Sequence, residues 1–136
     1  MRRIGVLVLA LALVGCSTPQ EPSQFSPPER VRLSDGSEGV DRGEATAIDG
    51  RIQIRMVEFA FEPTVVIAPP GSALEIELVN AGENVHNFEI AAQGIDRTLA
   101  ARVRETVSIA VPESGSVVFE CKFHLPRAMR GEVRPG

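Results

Sequence analysis

The residues with the most chemical content stand close to the C-terminus. The stretch Phe119-Glu120-Cys121-Lys122-Phe123-His124-Leu125-Pro126-Arg127-Ala128-Met129-Arg130-Gly131 reduces, in donor groups, to Cys-x2-His-x4-Met. The other histidine of the chain is His86, in Asn84-Val85-His86-Asn87-Phe88. Both histidines, one cysteine and one methionine can therefore be gathered at a single point. Thiolate and thioether are soft and suit Cu(I), while imidazole suits both oxidation states of copper. Three donors on one short loop can wrap an ion, and a fourth from a distant strand ties that loop to the body. Two imidazoles and a thiolate, with a long thioether bond, form the donor set of a copper centre that passes single electrons. Zn²⁺ also accepts one Cys and two His and would leave a fourth position for water. The thioether and the strand context favour copper. A Cys–His hydrolase needs an orienting third group and an oxyanion hole, and Cys-x2-His on one loop offers neither obviously.

Such donors need a stiff scaffold, and from about Gly50 the chain shows period-two alternation. Ile52, Ile54 and Met56 alternate with Arg51, Gln53 and Arg55; Leu74, Ile76 and Leu78 with Glu75 and Glu77; Val107, Ile109 and Val111 with Ser108 and Ala110. Further apolar runs lie around Phe59–Ile67, Val85–Ile90 and Val117–Phe119. Pro69-Pro70-Gly71, Asn80-Ala81-Gly82 and Pro112-Glu113-Ser114-Gly115 separate them as turns. Half-buried strands at this spacing predict an antiparallel sandwich or barrel. The one helix expected is a short one within Arg97–Arg104. The chain has no Trp and no Tyr, so its six Phe must supply the aromatic bulk of the core.

The first residues read differently. Met1-Arg2-Arg3 is basic and Ile4 to Val14 is apolar. That run is too short to span a bilayer, for which about 20 residues are needed, and has the pattern of a secretory signal. Leu13-Val14-Gly15-Cys16 resembles the bacterial lipobox, which implies lipidation of Cys16 after removal of residues 1–15. Two or more acyl chains anchor stably where one does not. Cys121 is then left without a disulfide partner in an oxidising compartment, where metal ligation is one reason for its presence. From Ser17 to about Asp49 the composition turns to Pro, Gly, Ser and acids, with seven acids against three Arg. A disordered tether is expected over residues 16–49, with irregular strands, one around Val31–Leu33, as its alternative.

From Ile52 to Val133 the chain resembles the cupredoxins, the plastocyanin–azurin type of blue copper protein. Phe59-Ala60-Phe61-Glu62-Pro63, Ile67–Gly71 and Leu74–Asn80 resemble early strands of that family. Val85-His86-Asn87-Phe88 resembles its first-ligand segment, and Cys121-x2-His124-x4-Met129-x-Gly131 its ligand loop in the short spacing. The resemblance implies an all-β, cupredoxin-like mixed Greek-key β-sandwich in one domain, residues 50–136. It implies equatorial copper ligands His86, Cys121 and His124, each histidine through Nδ1, with Met129 axial and one copper per chain. Asn87 would hold the loop by hydrogen bonds that tune the thiolate. Three departures stand out. Ala128 occupies a position where many relatives have Gly, the last strand is expected to be short, at Gly131 to about Arg134, and the longer N-terminal strands of larger members are expected to be missing unless the tether supplies one.

The 136 residues carry a net charge of −4, which disfavours a nucleic-acid binder, and they leave room for one domain. The expected function is one-electron transport by a membrane-tethered protein that catalyses no substrate chemistry. Leu125, Pro126 and Ala128 form an apolar surface beside His124, rimmed by Lys122, Arg127, Arg130 and Arg134. Leu125, Pro126, Arg127 and Arg130 are candidate docking residues for an acidic redox partner. The expected location is exported and lipid-anchored, at the cell membrane or outer membrane, facing the periplasm or the cell exterior, with a monomer as default. Storage, delivery or scavenging of copper is the alternative, although Met1, Met56, Met129 and two histidines leave nothing spare for metal transfer. A cupredoxin-fold interaction module without metal is a third reading, opposed by the complete donor set.

Overall fold

A strand whose apolar residues alternate with charged ones can bury one face only, so two such sheets must meet face to face. In the computed structural model, which describes residues 26–136, the chain does this with twelve strands. They are β1 (Arg30–Arg32), β2 (Glu38–Val40), β3 (Glu44–Thr46), β4 (Arg51–Val57), β5 (Ala60–Glu62), β6 (Val65–Ala68), β7 (Ala73–Asn80), β8 (His86–Ile90), β9 (Ile95–Leu99), β10 (Arg104–Ala110), β11 (Val117–Glu120) and β12 (Arg130–Pro135). One sheet has the order β10-β7-β4-β5 and the other β3-β6-β12-β11-β8-β9, while β1 and β2 form a separate hairpin. Among the described residues the only helical elements are 3₁₀ turns at Ala91–Gln93 and Leu125–Arg127, and no helix is long and apolar enough to cross a membrane.

The alternation sets the registers. Ile52 and Ile54 of β4 stand beside Ile76 and Leu78 of β7 in a parallel pair. Val107 and Ile109 of β10 stand opposite Ile76 and Leu74 in an antiparallel one. Ile54, Met56, Leu74, Ile76 and Leu78 are fully buried, whereas Arg51, Arg55, Glu75 and Arg104 face outward. Three Phe join the two sheets. Phe61 of β5 meets Phe119 of β11 edge-on, with ring centroids 5.0 Å apart, and Phe88 of β8 at 6.0 Å. Phe88 and Phe119 stack at 5.1 Å. Such pairs add about 0.5–1.5 kcal/mol each beyond their burial. Gly131 on β12 makes the arrangement possible. A Cβ there would lie 2.4 Å from the Phe119 ring and 2.4 Å from the Thr64 carbonyl.

Three expectations are corrected. The segment expected to be a disordered tether up to residue 49 carries β1, β2 and β3, and the domain reaches back at least to Arg30. Leu33 and Val40 are buried, and β3 extends the larger sheet in parallel with β6. Thr64 fastens the link, its hydroxyl accepting from the Arg42 N–H (2.8 Å) and donating to the Val40 carbonyl (2.7 Å). These strands have three residues each, too short for alternation to register. The signal segment 1–15, Cys16 and the first part of the expected tether lie outside the described residues. The helix expected within Arg97–Arg104 is absent. Its first half is β9, paired along its length with β8, so neighbouring strand amides outweigh local helix preference. The last strand is not short. β12 runs for six residues between β11 and β6, with Val133 fully buried.

Glu132 of β12 is a buried carboxylate that ties the N-terminal segment down. Its Oε2 accepts from the Ser34 N–H (3.0 Å) and its Oε1 from Arg134 Nε (2.6 Å). Burial alone would raise its pKa, but the Ser34, Ser116 and Arg134 hydrogen bonds outweigh that and hold it below the usual 4.5. Between the two values the unfolded chain binds more protons than the folded one. The stability from this group is therefore complete above pH 4.5 and is lost as pH falls through the folded value. Glu132→Gln is expected to cost about 1–3 kcal/mol at pH 7 in a urea titration. The gap to the parent protein should shrink as the pH drops below 4.5; a gap that stays constant down to low pH would refute this role.

Candidate metal centre

The loop between β11 and β12 and the start of β8 place the donors. β11 ends at Glu120, so Cys121 leaves the sheet directly above the core, and β12 resumes at Arg130, directly after Met129. The Cys121 N–H donates to the Met129 carbonyl at 3.0 Å, closing the loop at its neck. The His124 N–H donates to the Cys121 carbonyl (3.0 Å), and Pro126 sits in the 3₁₀ turn that follows. That turn ends at Ala128 with φ +55°, a left-handed conformation that costs a non-Gly residue about 1–2 kcal/mol. The loop is also held from the N-terminal segment. The Val40 N–H donates to the Ala128 carbonyl (3.2 Å), and Arg30 Nη1 to the Arg127 carbonyl (2.9 Å).

His86 opens β8, next to β11 in the same sheet. Asn80 shapes the approach to it. Its Nδ2 donates to the Asn84 carbonyl (2.8 Å) and the Leu99 carbonyl (2.9 Å), and its Oδ1 accepts from the Gly82 N–H (3.1 Å).

Donor atoms of His86, Cys121 and His124 all lie within 4.8 Å of one another. Cys121 and His86 are fully buried and His124 is half-buried. Cys121 Sγ stands 3.3 Å from His124 Nδ1. Cys121 is a free thiol among the described residues. Met129 is fully buried in the cluster that contains Cys121. Neither ring nitrogen of His86 completes a hydrogen bond, although both are buried. Two unpaired nitrogens inside an apolar core are costly without a further partner. With a thiol and a second imidazole beside them, this donor set fits a copper ion.

Asn87 lies beside the thiol. Its N–H donates to Cys121 Sγ at 3.3 Å, and its Oδ1 accepts from the Lys122 N–H at 3.4 Å. Its Nδ2 donates to Asp96 Oδ1 at 2.6 Å. Asp96 in turn pairs with Lys122 Nζ at 2.5 Å, so β8, β9 and the ligand loop are cross-linked beside the thiol. The hydrogen bond from Lys122, then that from Asn87, hold the Asp96 carboxyl below its usual range.

Two neighbours escape sequence reading. Phe59 lies against His124, ring centroids 4.7 Å apart, and carries the Arg127 guanidinium 4.6 Å above it. Glu58 sends Oε2 to 3.4 Å from His86 Nε2. Burial would raise the Glu58 pKa, but bonds from the Asn84 side chain and the Asn84 and Glu83 backbone, with His86, bring it down to about 2. Burial lowers the pKa of His86; Glu58 opposes this and His124 adds to it. The one available signal was position, directly before the Phe-x-Phe-Glu-Pro motif.

The basic rim differs from expectation. Lys122 pairs with Asp96, Arg130 with Glu120 (2.9 Å) and Arg134 with Glu132. Of the four, Arg127 alone has no acidic partner among the described residues, and Arg30 and Arg42 join it around a groove floored by Glu58 and Phe59. Leu125 is half-buried, Pro126 is exposed, and Phe123 adds a half-exposed ring to the same loop.

Comparison with solved structures supports the architecture. The Cu(I)-bound metal-binding domain of the Cu(I)-exporting P-type ATPase of Streptococcus pneumoniae D39 superposes with a TM-score of 0.59 at 17% identity, over 70% of this chain and 97% of that one. Reduced auracyanin from Roseiflexus castenholzii gives 0.55 at 18% identity, over 66% and 99%. Auracyanin B gives 0.54 at 16%, over 72% and 94%. A search of curated protein sequences finds no match. The model of the cupredoxin-like domain matches residues 6–133, and the chain belongs to that family.

Proposed function

We propose that this protein carries single electrons on one copper ion held by His86, Cys121, His124 and Met129. The observation that carries the reading is the convergence of two imidazoles and a thiol within 4.8 Å, two of the three fully buried. When bound, copper supplies a one-electron couple between its +1 and +2 states. The chain's own residues do the rest. The Asn87 N–H steadies the sulfur and withdraws charge from it. The Cys121–Met129 backbone bond keeps the loop neck closed. The apolar core excludes water from Cys121, and the half-buried His124 leads to the surface beside Pro126 and Phe123. No substrate pocket is part of this reading, and the protein acts as a carrier rather than an enzyme.

In the same reading, the lipobox-like Leu13–Cys16 anchors the protein on an extracytoplasmic membrane face. A monomer docks briefly to redox partners through Leu125, Pro126 and Arg127. The fold similarity to a Cu(I)-bound exporter domain favours copper storage or delivery as the second reading. Fast, reversible redox cycling separates the two, because a carrier cycles with its ion retained and a delivery protein releases it.

The first test is titration of the purified protein with Cu(II), followed by visible absorption and EPR. An intense thiolate-to-copper charge-transfer band with narrow hyperfine splitting is expected, and Cys121→Ser should abolish it. An ordinary weak Cu(II) spectrum, or tighter retention of zinc, would overturn the carrier reading. A second prediction concerns docking. Exposed charges are screened over about 10 Å at 0.1 M salt, so electron exchange with an acidic partner should slow as salt rises. Arg127→Gln should slow it a few-fold at low salt and flatten that dependence. Salt-independent exchange would exclude electrostatic docking through this rim.

A further inference from the structure

The Glu58 carboxylate is held in place by the turn that leads into β8. Its Oε1 accepts from the Glu83 N–H (2.6 Å) and the Asn84 N–H (3.0 Å), and its Oε2 from Asn84 Nδ2 (2.7 Å). These bonds fix the carboxylate with Oε2 3.4 Å from Nε2 of His86, a ring that is itself fully buried. Gly82 packs against both groups. A Cβ at that position would lie 2.3 Å from Glu58 Oε1 and 3.0 Å from His86 Nε2. Two separate features, a triply anchored acid and a glycine that leaves room for it, thus converge on one ring nitrogen. That nitrogen has no completed hydrogen bond of its own.

We infer that Glu58 is a positioning residue for His86: its carboxylate draws the imidazole proton to Nε2, freeing Nδ1 for copper, and makes the ring a stronger donor that favours Cu(II) over Cu(I). The physical basis is general. A ligating imidazole that donates its other N–H to a carboxylate is fixed in tautomer and orientation and becomes more basic, and loss of such a partner typically costs about 10–100-fold in metal affinity. The oxidised ion carries the greater positive charge and gains more from the stronger donor and the nearby negative charge. Nε2 is the nitrogen beside Glu58, and a ring nitrogen of His86 lies within 4.8 Å of the donors of Cys121 and His124. The effect on copper rests on the carrier reading above, whereas the tautomer is a property of the metal-free protein.

Two measurements on the full chain test the inference. In the metal-free protein, ¹⁵N NMR of the histidine rings at neutral pH should show His86 protonated at Nε2 and bare at Nδ1. A proton on Nδ1 would overturn the inference without touching the carrier reading. In the copper-loaded protein, Glu58→Gln should retain the charge-transfer band while shifting the preference toward Cu(I) by about tenfold. That shift corresponds to a reduction potential about 59 mV higher for a one-electron couple. An unchanged potential with an intact band would overturn the inference and leave the carrier intact. If the parent protein shows no such band, the carrier reading fails, and ¹⁵N NMR of the parent and of Glu58→Gln still decides whether Glu58 sets the His86 tautomer.

Discussion

The rest of the fold serves one constraint, that a buried thiol and a buried imidazole be held with a second imidazole so that their donor atoms lie within 4.8 Å of one another. Cys121 has one backbone N–H from Asn87 and His86 has no completed bond. The surrounding elements are over-determined, which fixes these side chains. β8 is paired along its length with β9, β12 is paired on both sides, and the Cys121–Met129 loop is closed at its neck by a backbone hydrogen bond.

The aromatic centre and the donor cluster are parts of one construction. Phe119 stands two residues before Cys121 and Phe88 two residues after His86, and in a strand residues two apart share a face. Stacking Phe88 on Phe119 therefore also fixes the strands that deliver the donors. Phe61 meets both rings from the opposite sheet, so the sandwich is pinned directly beneath the site. Gly131 follows the same logic. Its missing side chain lets the Phe119 ring approach β12 and lets Glu132 N–H reach the Thr64 carbonyl at 2.9 Å.

The features legible in the sequence were those repeated often enough to show a period or rare enough to stand out. The alternating faces of β4, β7 and β10 announced a sandwich, and a chain with two histidines left few ways to complete a donor set around Cys121. Strands of three residues have no period to read: β1 showed only as the alternative reading around Val31–Leu33, and β2 and β3 were lost among Gly, Arg and acids. Their partners, Thr64, Ala128 and Glu132, are distant in sequence, and only the folded chain brings them together. The Arg97–Arg104 segment misled for the converse reason. Its local preference is real, but β8 offers a full ladder of hydrogen bonds that no isolated helix of that length can match. Glu58 was invisible because an acid in a chain with 18 of them carries no signal until it is seen against His86.

The two imidazoles of the cluster are held in opposite ways, and the difference bears on what each can do. His86 is sealed, with a carboxylate behind it and Gly82 packed on its edge. His124 is half-exposed on a nine-residue loop segment from Cys121 to Met129, with Phe59 against one side and Arg127 stacked beyond. A buried imidazole backed by a partly exposed carboxylate suits tuning, because the ring itself is shielded from solvent. A half-exposed ligand against an aromatic ring suits contact with a partner, because little protein separates it from the surface. The N-terminal segment joins these roles physically. Through Arg30 and Val40 it grips the carbonyls of Arg127 and Ala128, so the surface around His124 is braced by the stretch that leads toward the membrane anchor in the proposed reading.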